Sequence, residues 1–202
     1  MSTAKQRVRT RLDADVRREQ ILENAARLIS QRGYNGFSVQ ELAQQCGLTN
    51  AGLLYYFGSK EGLLIALLED RDRHDKAAVT TMAGLSGKRE TPKRLSLDAA
   101  LKLFSAMVKR NSTQPELVRL YTVLRAEALS EGHPAQQYFV AREDAVLESF
   151  TKMVTGHVQH PRSTARQLMA LMTGLQEQWL RGDHDFDMVT EWDRGAALLL
   201  RR

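Results

Sequence analysis

Residues 38–60, SVQELAQQCGLTNAGLLYYFGSK, hold two short apolar stretches on either side of one glycine turn. Ser38-Val39-Gln40-Glu41 has the S-x-x-E form, in which a hydroxyl and a carboxylate reciprocally satisfy the first free amides of a helix. A short helix is expected from there, burying Val39, Leu42 and Ala43. It stops at Cys46-Gly47-Leu48, where Gly47 can take the left-handed conformation a tight turn needs, and Thr49 is placed to cap a second short helix over residues 50–57. Gly58 breaks that helix, and Ser59 caps a long one running through Leu63, Leu64, Leu67 and Leu68 towards Met82. Two short helices joined by such a turn and braced by longer ones form a helix-turn-helix.

Upstream, Val16, Ile21, Leu22, Ala25, Ala26, Leu28 and Ile29 recur at helical spacing, which predicts an amphipathic helix over residues 15–32 with Asp15 as N-cap and Gly33 as stop. Downstream, residues 83–94, AGLSGKRETPKR, read as a loop within a second domain. Helices are expected at about 96–112, 115–131, 134–157, 163–181 and 187–200, with Pro115 and Pro134 at first helical positions, where a missing amide costs nothing. The expected fold is all-α, with about nine helices. A three-helix helix-turn-helix domain with a basic arm occupies residues 1–62, and a second helical domain occupies 63–202.

Composition agrees. Of 202 residues 43% are hydrophobic, 6% aromatic and only four are proline, which favours helix over strand and excludes a disulfide-stapled mini-protein or a disordered tail. No stretch approaches the ~20 apolar residues of a membrane span, and MSTAKQRVRTRLDAD lacks the apolar region of a secretory signal, so a cytoplasmic protein with no membrane partner is expected. Cys46 is the single cysteine, which rules out an intramolecular disulfide; without nearby His and acid partners it reads as a small buried apolar residue rather than a nucleophile. The net charge of +5 is unevenly placed: residues 1–60 hold nine Lys and Arg against five Asp and Glu, and Lys5, Arg7, Arg9 and Arg11 account for that excess. A basic arm suits a polyanion, or simply solubilises a tail.

Residues 17–64, RREQILENAARLISQRGYNGFSVQELAQQCGLTNAGLLYYFGSKEGLL, closely resemble the DNA-binding domain of TetR-type transcriptional regulators. The elements that carry the likeness are I-L-x-x-A-x-x-L-I, G-Y-x-G-F-S, E-L-A…C-G-L-T and Y-Y-F-x-S-K-E, in order and correctly spaced. A recognition helix must be thin-skinned to enter a major groove ~12 Å wide, and Asn50, Ala51 and Gly52 supply small or polar groups at its leading end. The candidate DNA-binding set is Ser38, Thr49, Asn50, Ala51, Gly52, Leu54, Tyr55, Tyr56 and Lys60. Tyr55, Tyr56 and Lys60 are read as phosphate contacts, against packing on the first helix for Tyr55 and ordinary solvation for Lys60. Arg9, Arg11 and Arg17 are placed to reach the neighbouring backbone or minor groove. Gly52, Leu54 and Gly58 depart from the family's usual Ser or Thr, Tyr and Pro; Leu54 either meets a thymine methyl or turns inward.

The resemblance implies a homodimer on pseudo-palindromic double-stranded DNA, because one helix-turn-helix reads only a few base pairs. Leu168, Met172, Leu175 and Trp179 form one candidate interface stripe, and Val189, Trp192, Ala196 and Leu199 a second, unless the protomer's own core consumes them. An unidentified small-molecule effector is expected among the helices over 96–157. Its candidate contacts are Phe104, Met107, Val108, Tyr121, Leu124, Phe139, Phe150 and Met153, with Arg125, Glu127 or Gln176 as polar partners. His157-x-x-His160 has zinc-like spacing, but Pro161 follows directly and is expected to end the helix there, and no third ligand is evident, so no metal and no cofactor are expected. No nucleotide-binding loop or hydrolase motif is present, and no enzymatic activity is expected. The function this implies is a sequence-specific DNA-binding regulator, a repressor released from its operator by the effector. The alternative is a helical small-molecule-binding or enzymatic protein whose N-terminal domain no longer binds DNA.

Overall fold

Ser38, Thr49, Ser96 and Asp187 each accept a hydrogen bond from a first-turn amide, and each starts a helix where it stands. In this computed structural model, residues 3–82 and 95–200 are described. They form α1 (Thr3–Arg32), α2 (Val39–Gln45), α3 (Asn50–Phe57), α4 (Lys60–Met82), α5 (Leu97–Ser112), α6 (Pro115–Glu127), α7 (Gln136–Val154), α8 (Pro161–Arg181) and α9 (Met188–Leu199), with no strand among the described residues. The all-α expectation of nine helices holds. The loop read over 83–94 and the side chains of Lys5, Arg7, Arg9 and Arg11 lie outside what is described.

Apolar residues sort into two cores. The first gathers Ile21, Leu22, Ala25, Leu28 and Ile29 of α1, Leu42 and Ala43 of α2, Leu53 of α3 and Leu63, Leu64, Leu67 and Leu68 of α4. Leu120 and Leu124 of α6 and Phe139 of α7 complete it, so helices far along the chain supply one of its walls. The second gathers Ala100, Phe104 and Val108 of α5, Leu147, Phe150 and Val154 of α7, Ala165, Leu168 and Trp179 of α8, and Met188, Trp192 and Ala196 of α9. Each fully buried Leu among these contributes ~1.5–3 kcal/mol of apolar transfer energy.

Several local expectations are corrected. Asp15 caps nothing, because α1 begins twelve residues earlier at Thr3, and Val16 is 52% exposed rather than part of the buried stripe. Ser38 does cap α2, accepting from the Glu41 amide at 3.1 Å, but the Glu41 carboxylate is taken by Arg32 at 2.7 Å instead of closing the capping box. Helix α6 ends at Glu127, and Pro134 lies in the turn before α7 instead of at its first position. Pro161 starts α8 rather than ending a helix, since its missing amide is harmless there; His157 and His160 therefore lie in the connection after Val154, not on one helical face. His157 instead sets Nε2 2.8 Å from the Leu95 carbonyl.

Candidate nucleic-acid interface and ligand cavity

The turn between α2 and α3 forms as its sequence requires. Gly47 has φ +65°, and the Leu48 amide donates back to the Ala43 carbonyl at 2.8 Å. Thr49 Oγ1 then accepts from the Gly52 amide at 3.0 Å, which fixes the leading end of α3. Along this eight-residue helix burial alternates sharply. Leu53 is fully buried and Leu54, Tyr56 and Phe57 pack against the first core, whereas Asn50 and Ala51 are exposed and Tyr55 is 87% exposed. The sequence-predicted set thus divides: Ser38, Thr49, Asn50, Ala51 and Tyr55 face outward, Gly52 is half-buried among them, and Tyr56 is half-buried with its ring against the first core.

Two members of the set turn inward. Leu54, half-buried, packs against the core. Lys60, read as a phosphate contact, donates from Nζ to the Phe37 carbonyl at 2.7 Å and sits 4.5 Å and 4.4 Å from the ring centroids of Tyr34 and Phe37. Burial pushes its ammonium below the ordinary lysine range. Lys60 therefore fastens the start of α4 to the α1–α2 link. The positive charge beside the reading face comes from Arg17, whose guanidinium reaches the Cys46 carbonyl at the turn, 3.5 Å away. Cys46 itself is half-buried, accepts from Asn24 at 3.5 Å, and has its thiol pushed up by burial, the reverse of an activated nucleophile. Sequence reasoning missed Gln40, Gln44 and Gln45, all exposed on α2; polar residues on a short helix carry no signal of which face they occupy.

A cavity of about 520 Å³ lies among α4, α5, α6, α7 and α8. Met107, Tyr121, Arg125, Phe139, Phe150, Met153 and Gln176, all named from sequence, line it. Phe104, Val108 and Leu124 do not; each is consumed by a core, Phe104 against Phe150 and Trp192 with centroids at 4.7 Å and 6.0 Å. Glu127 also faces elsewhere. The α4 contribution, Arg71, Asp72, Asp75 and Lys76, was not legible beforehand, because a dense run of charges reads as a solvated helix face. Instead Asp72 accepts Tyr121 Oη at 3.0 Å, Tyr138 Oη, and Arg142 Nε at 2.9 Å, while Asp75 accepts Arg71 and Arg110, each at 2.7 Å. Burial pushes both Tyr121 and Tyr138 hydroxyls well above the usual tyrosine range, so they remain donors to Asp72.

Residues 21–67 match the model for bacterial regulatory proteins of the tetR family. Over those residues the chain carries the DNA-binding domain of that family. It is 28% identical over 185 residues to the transcriptional activator FasR of Mycolicibacterium smegmatis, covering 88% of this chain and 78% of that one. It is 35% identical over 81 residues to the transcriptional repressor AcnR of Corynebacterium glutamicum, where the match spans only 38% of this chain and 43% of that relative. A crystal structure from Rhodococcus sp., described as a TetR-family transcriptional regulator, superposes with TM-score 0.71 at 22% identity over 92% of this chain and 98% of that one. The relatives it matches are HTH-type transcriptional regulators, which supports a DNA-binding regulator.

The N-terminal helices and the cavity share α6. One face of α6 puts Leu120 and Leu124 into the first core; another presents Val118, Tyr121, Thr122 and Arg125 to the cavity. Both of its ends are fastened to the end of α1. Glu116 accepts from Ser30 Oγ at 3.0 Å, and Glu127 accepts from the Tyr34 amide at 2.9 Å. Gly33, at φ +72°, leaves room for that carboxylate, since a Cβ there would stand 2.1 Å from Glu127 Oε1.

The interface stripes are corrected in part. Leu168, Trp179, Trp192 and Ala196 are buried in the protomer's own second core, Trp192 completely. Met172, Leu175, Val189 and Leu199 are half-buried against the same core. What faces outward is a neighbouring strip: Ala170, Gln178 and Arg181 exposed on α8 around the half-buried Gly174, and Arg194, Ala197 and Leu198 on α9, with Leu198 64% exposed.

Proposed function

We propose that this chain is a homodimeric, sequence-specific transcriptional regulator that reads a pseudo-palindromic operator with α3 and releases it when a small molecule fills the cavity. The observation that carries the reading is the outward edge of α3: Asn50, Ala51 and Tyr55 are exposed on a helix whose other side is locked into the core. Asn50, Ala51 and Gly52 present the base-reading end, and Ser38, Thr49, Tyr55 and Tyr56 supply hydroxyls for the flanking phosphates. Lys60 and Leu54 hold the helix in place from behind. Domains follow the same division, a reading head over residues 1–62 and an effector-binding and dimerisation domain over 63–202.

The dimer forms on the outward strip of α8 and α9. Small residues at 170, 174 and 197 allow close helix approach, and Leu198 is an apolar anchor that the protomer leaves uncovered. Ligand in the cavity acts through α6, and it works only if it favours one spacing of the two reading heads over the other. The regulator acts where DNA is, in the cytoplasm, and blocks promoter access. Activation is the second reading, favoured by the activator FasR, which matches over most of both chains.

Selection from a random duplex pool at near-physiological salt tests this, with an Asn50→Ala/Tyr55→Ala variant alongside. Enrichment of an inverted repeat by the wild type and not by the folded variant is expected. A folded wild type that enriches nothing overturns the DNA-reading assignment.

A further inference from the structure

The cavity lining combines two kinds of residue. Leu103, Met107, Val146, Phe150, Met153 and Met169 are apolar. Among the charged residues, three guanidinium groups, Arg71, Arg110 and Arg142, meet only two carboxylates, Asp72 and Asp75. Asp75 Oδ1 is shared by Arg71 and Arg110 at 2.7 Å each, and Asp72 is saturated by Arg142 and two tyrosine hydroxyls. Arg71 is 13% exposed, and its Nε–H is buried with no acceptor. The surplus survives a count of the whole lining, because Lys76 and Glu143 add one charge of each sign and Arg125 pairs with Glu177 at 3.5 Å.

From this we infer that the cavity takes an amphipathic anion, an oxyanion head on an apolar tail. The inference rests on the reading of this cavity as the effector site, and adds to it the class of effector. An uncompensated guanidinium beside apolar walls is costly unless a ligand supplies the missing acceptor, and each guanidinium offers five N–H donors of which only part are used by Asp72 and Asp75. A carboxylate or a phosphate monoester presents two or more acceptor oxygens to such a fork, with charge-assisted bonds about twice as strong as neutral ones. A cationic amphiphile would set like charges together, and a neutral one would leave the surplus where it is. The volume of about 520 Å³ lies within the ~300–1,000 Å³ typical of small-molecule sites.

The test is calorimetric titration of the full chain with decanoate, decyl phosphate, decanol and decyltrimethylammonium, with operator release followed in parallel. Both anions should bind and the alcohol and the cation should be weaker by roughly ten- to hundredfold, the size of a lost charged hydrogen bond. Preference between decanoate and decyl phosphate assigns the head group. Arg71→Met leaves two guanidiniums for two carboxylates and should erase the anion preference; Asp75→Asn enlarges the surplus and should strengthen it. Equal or tighter binding of decanol or the cation overturns the inference, as does an unchanged preference in a folded Arg71→Met protein. Anion binding that leaves operator affinity unaltered keeps the inference and overturns the effector reading, whereas operator release by the neutral alcohol with no anion preference does the reverse.

Discussion

The exposed face of α3 and the inner face of α4 carry charge in opposite senses to what their sequences suggest. Over residues 42–59, where a DNA reader is expected to be basic, no charged residue occurs at all, and Lys60 just beyond is spent on the Phe37 carbonyl and two aromatic rings. Over residues 69–76, EDRDRHDK looks like a solvated surface, yet Arg71, Asp72 and Asp75 line a cavity and organise Arg110 and Arg142 around it. The lesson is that a charge's role depends on whether an opposing helix brings it a partner. Under the proposed function, the face of α3 offers neutral donors, acceptors and shape, and Arg17 is the cation beside it that would supply long-range attraction.

Five measurements break or sharpen this contrast. The largest effect belongs to the second core: Trp192→Ala should cost ~3–5 kcal/mol in urea unfolding. Leu198→Asp, on the outward strip a few residues away, should leave stability within ~0.5 kcal/mol and convert the dimer to a monomer in light scattering. A wild type that already scatters as a monomer at micromolar concentration removes the dimer proposal. Next in size is Asn50→Ala, which should lose ~1–3 kcal/mol of discrimination at one base position while stability is unchanged; a uniform loss across all sequences would make Asn50 a backbone contact instead.

Lys60→Ala should cost ~1 kcal/mol of stability through its cation–π contacts and hydrogen bond. The salt slope of DNA binding should stay the same. A slope shallower by about one unit with stability intact would return Lys60 to the phosphates. The smallest effect is a pH dependence. Tyr34, buried and hydrogen-bonded to Glu61 at 3.2 Å, has its hydroxyl pushed up to about 12, desolvation being the main cause. Its folded value lies above the unfolded one of ~10, so its contribution is complete below pH ~10 and is lost as pH rises towards 12. Tyr34→Phe should flatten part of the alkaline fall in stability; the elevated Tyr121 and Tyr138 keep the remainder.

The helices themselves were legible because their signals are local. Ser38, Thr49 and Asp187 act on amides two or three residues away, and Gly33 and Gly47 take positive φ where the chain must reverse. Pro134 and Pro161 misled for the same reason: a proline announces a boundary without saying on which side the helix lies, and here Pro161 opens α8. The reading face was largely legible too, since its small and polar residues follow one another along a single short helix. The cavity was half legible. Met107, Phe150 and Met153 could be named from helical stripes, but nothing in those stripes separates a cavity wall from a core residue such as Phe104 or Val108.

By itself the sequence determined the order and type of the helices, the helix-turn-helix and the residues along its outer edge, because capping, turn geometry and helical periodicity act within a few residues. Tertiary structure alone decided that Lys60 and Leu54 point inward, that Trp192 belongs to the protomer and not to a partner, and that the charges of α4 face a cavity. Those outcomes depend on which helix packs opposite, as Glu127 of α6 does for Tyr34 across 93 positions of sequence, and burial energy at such distances is settled only when the chain has closed on itself.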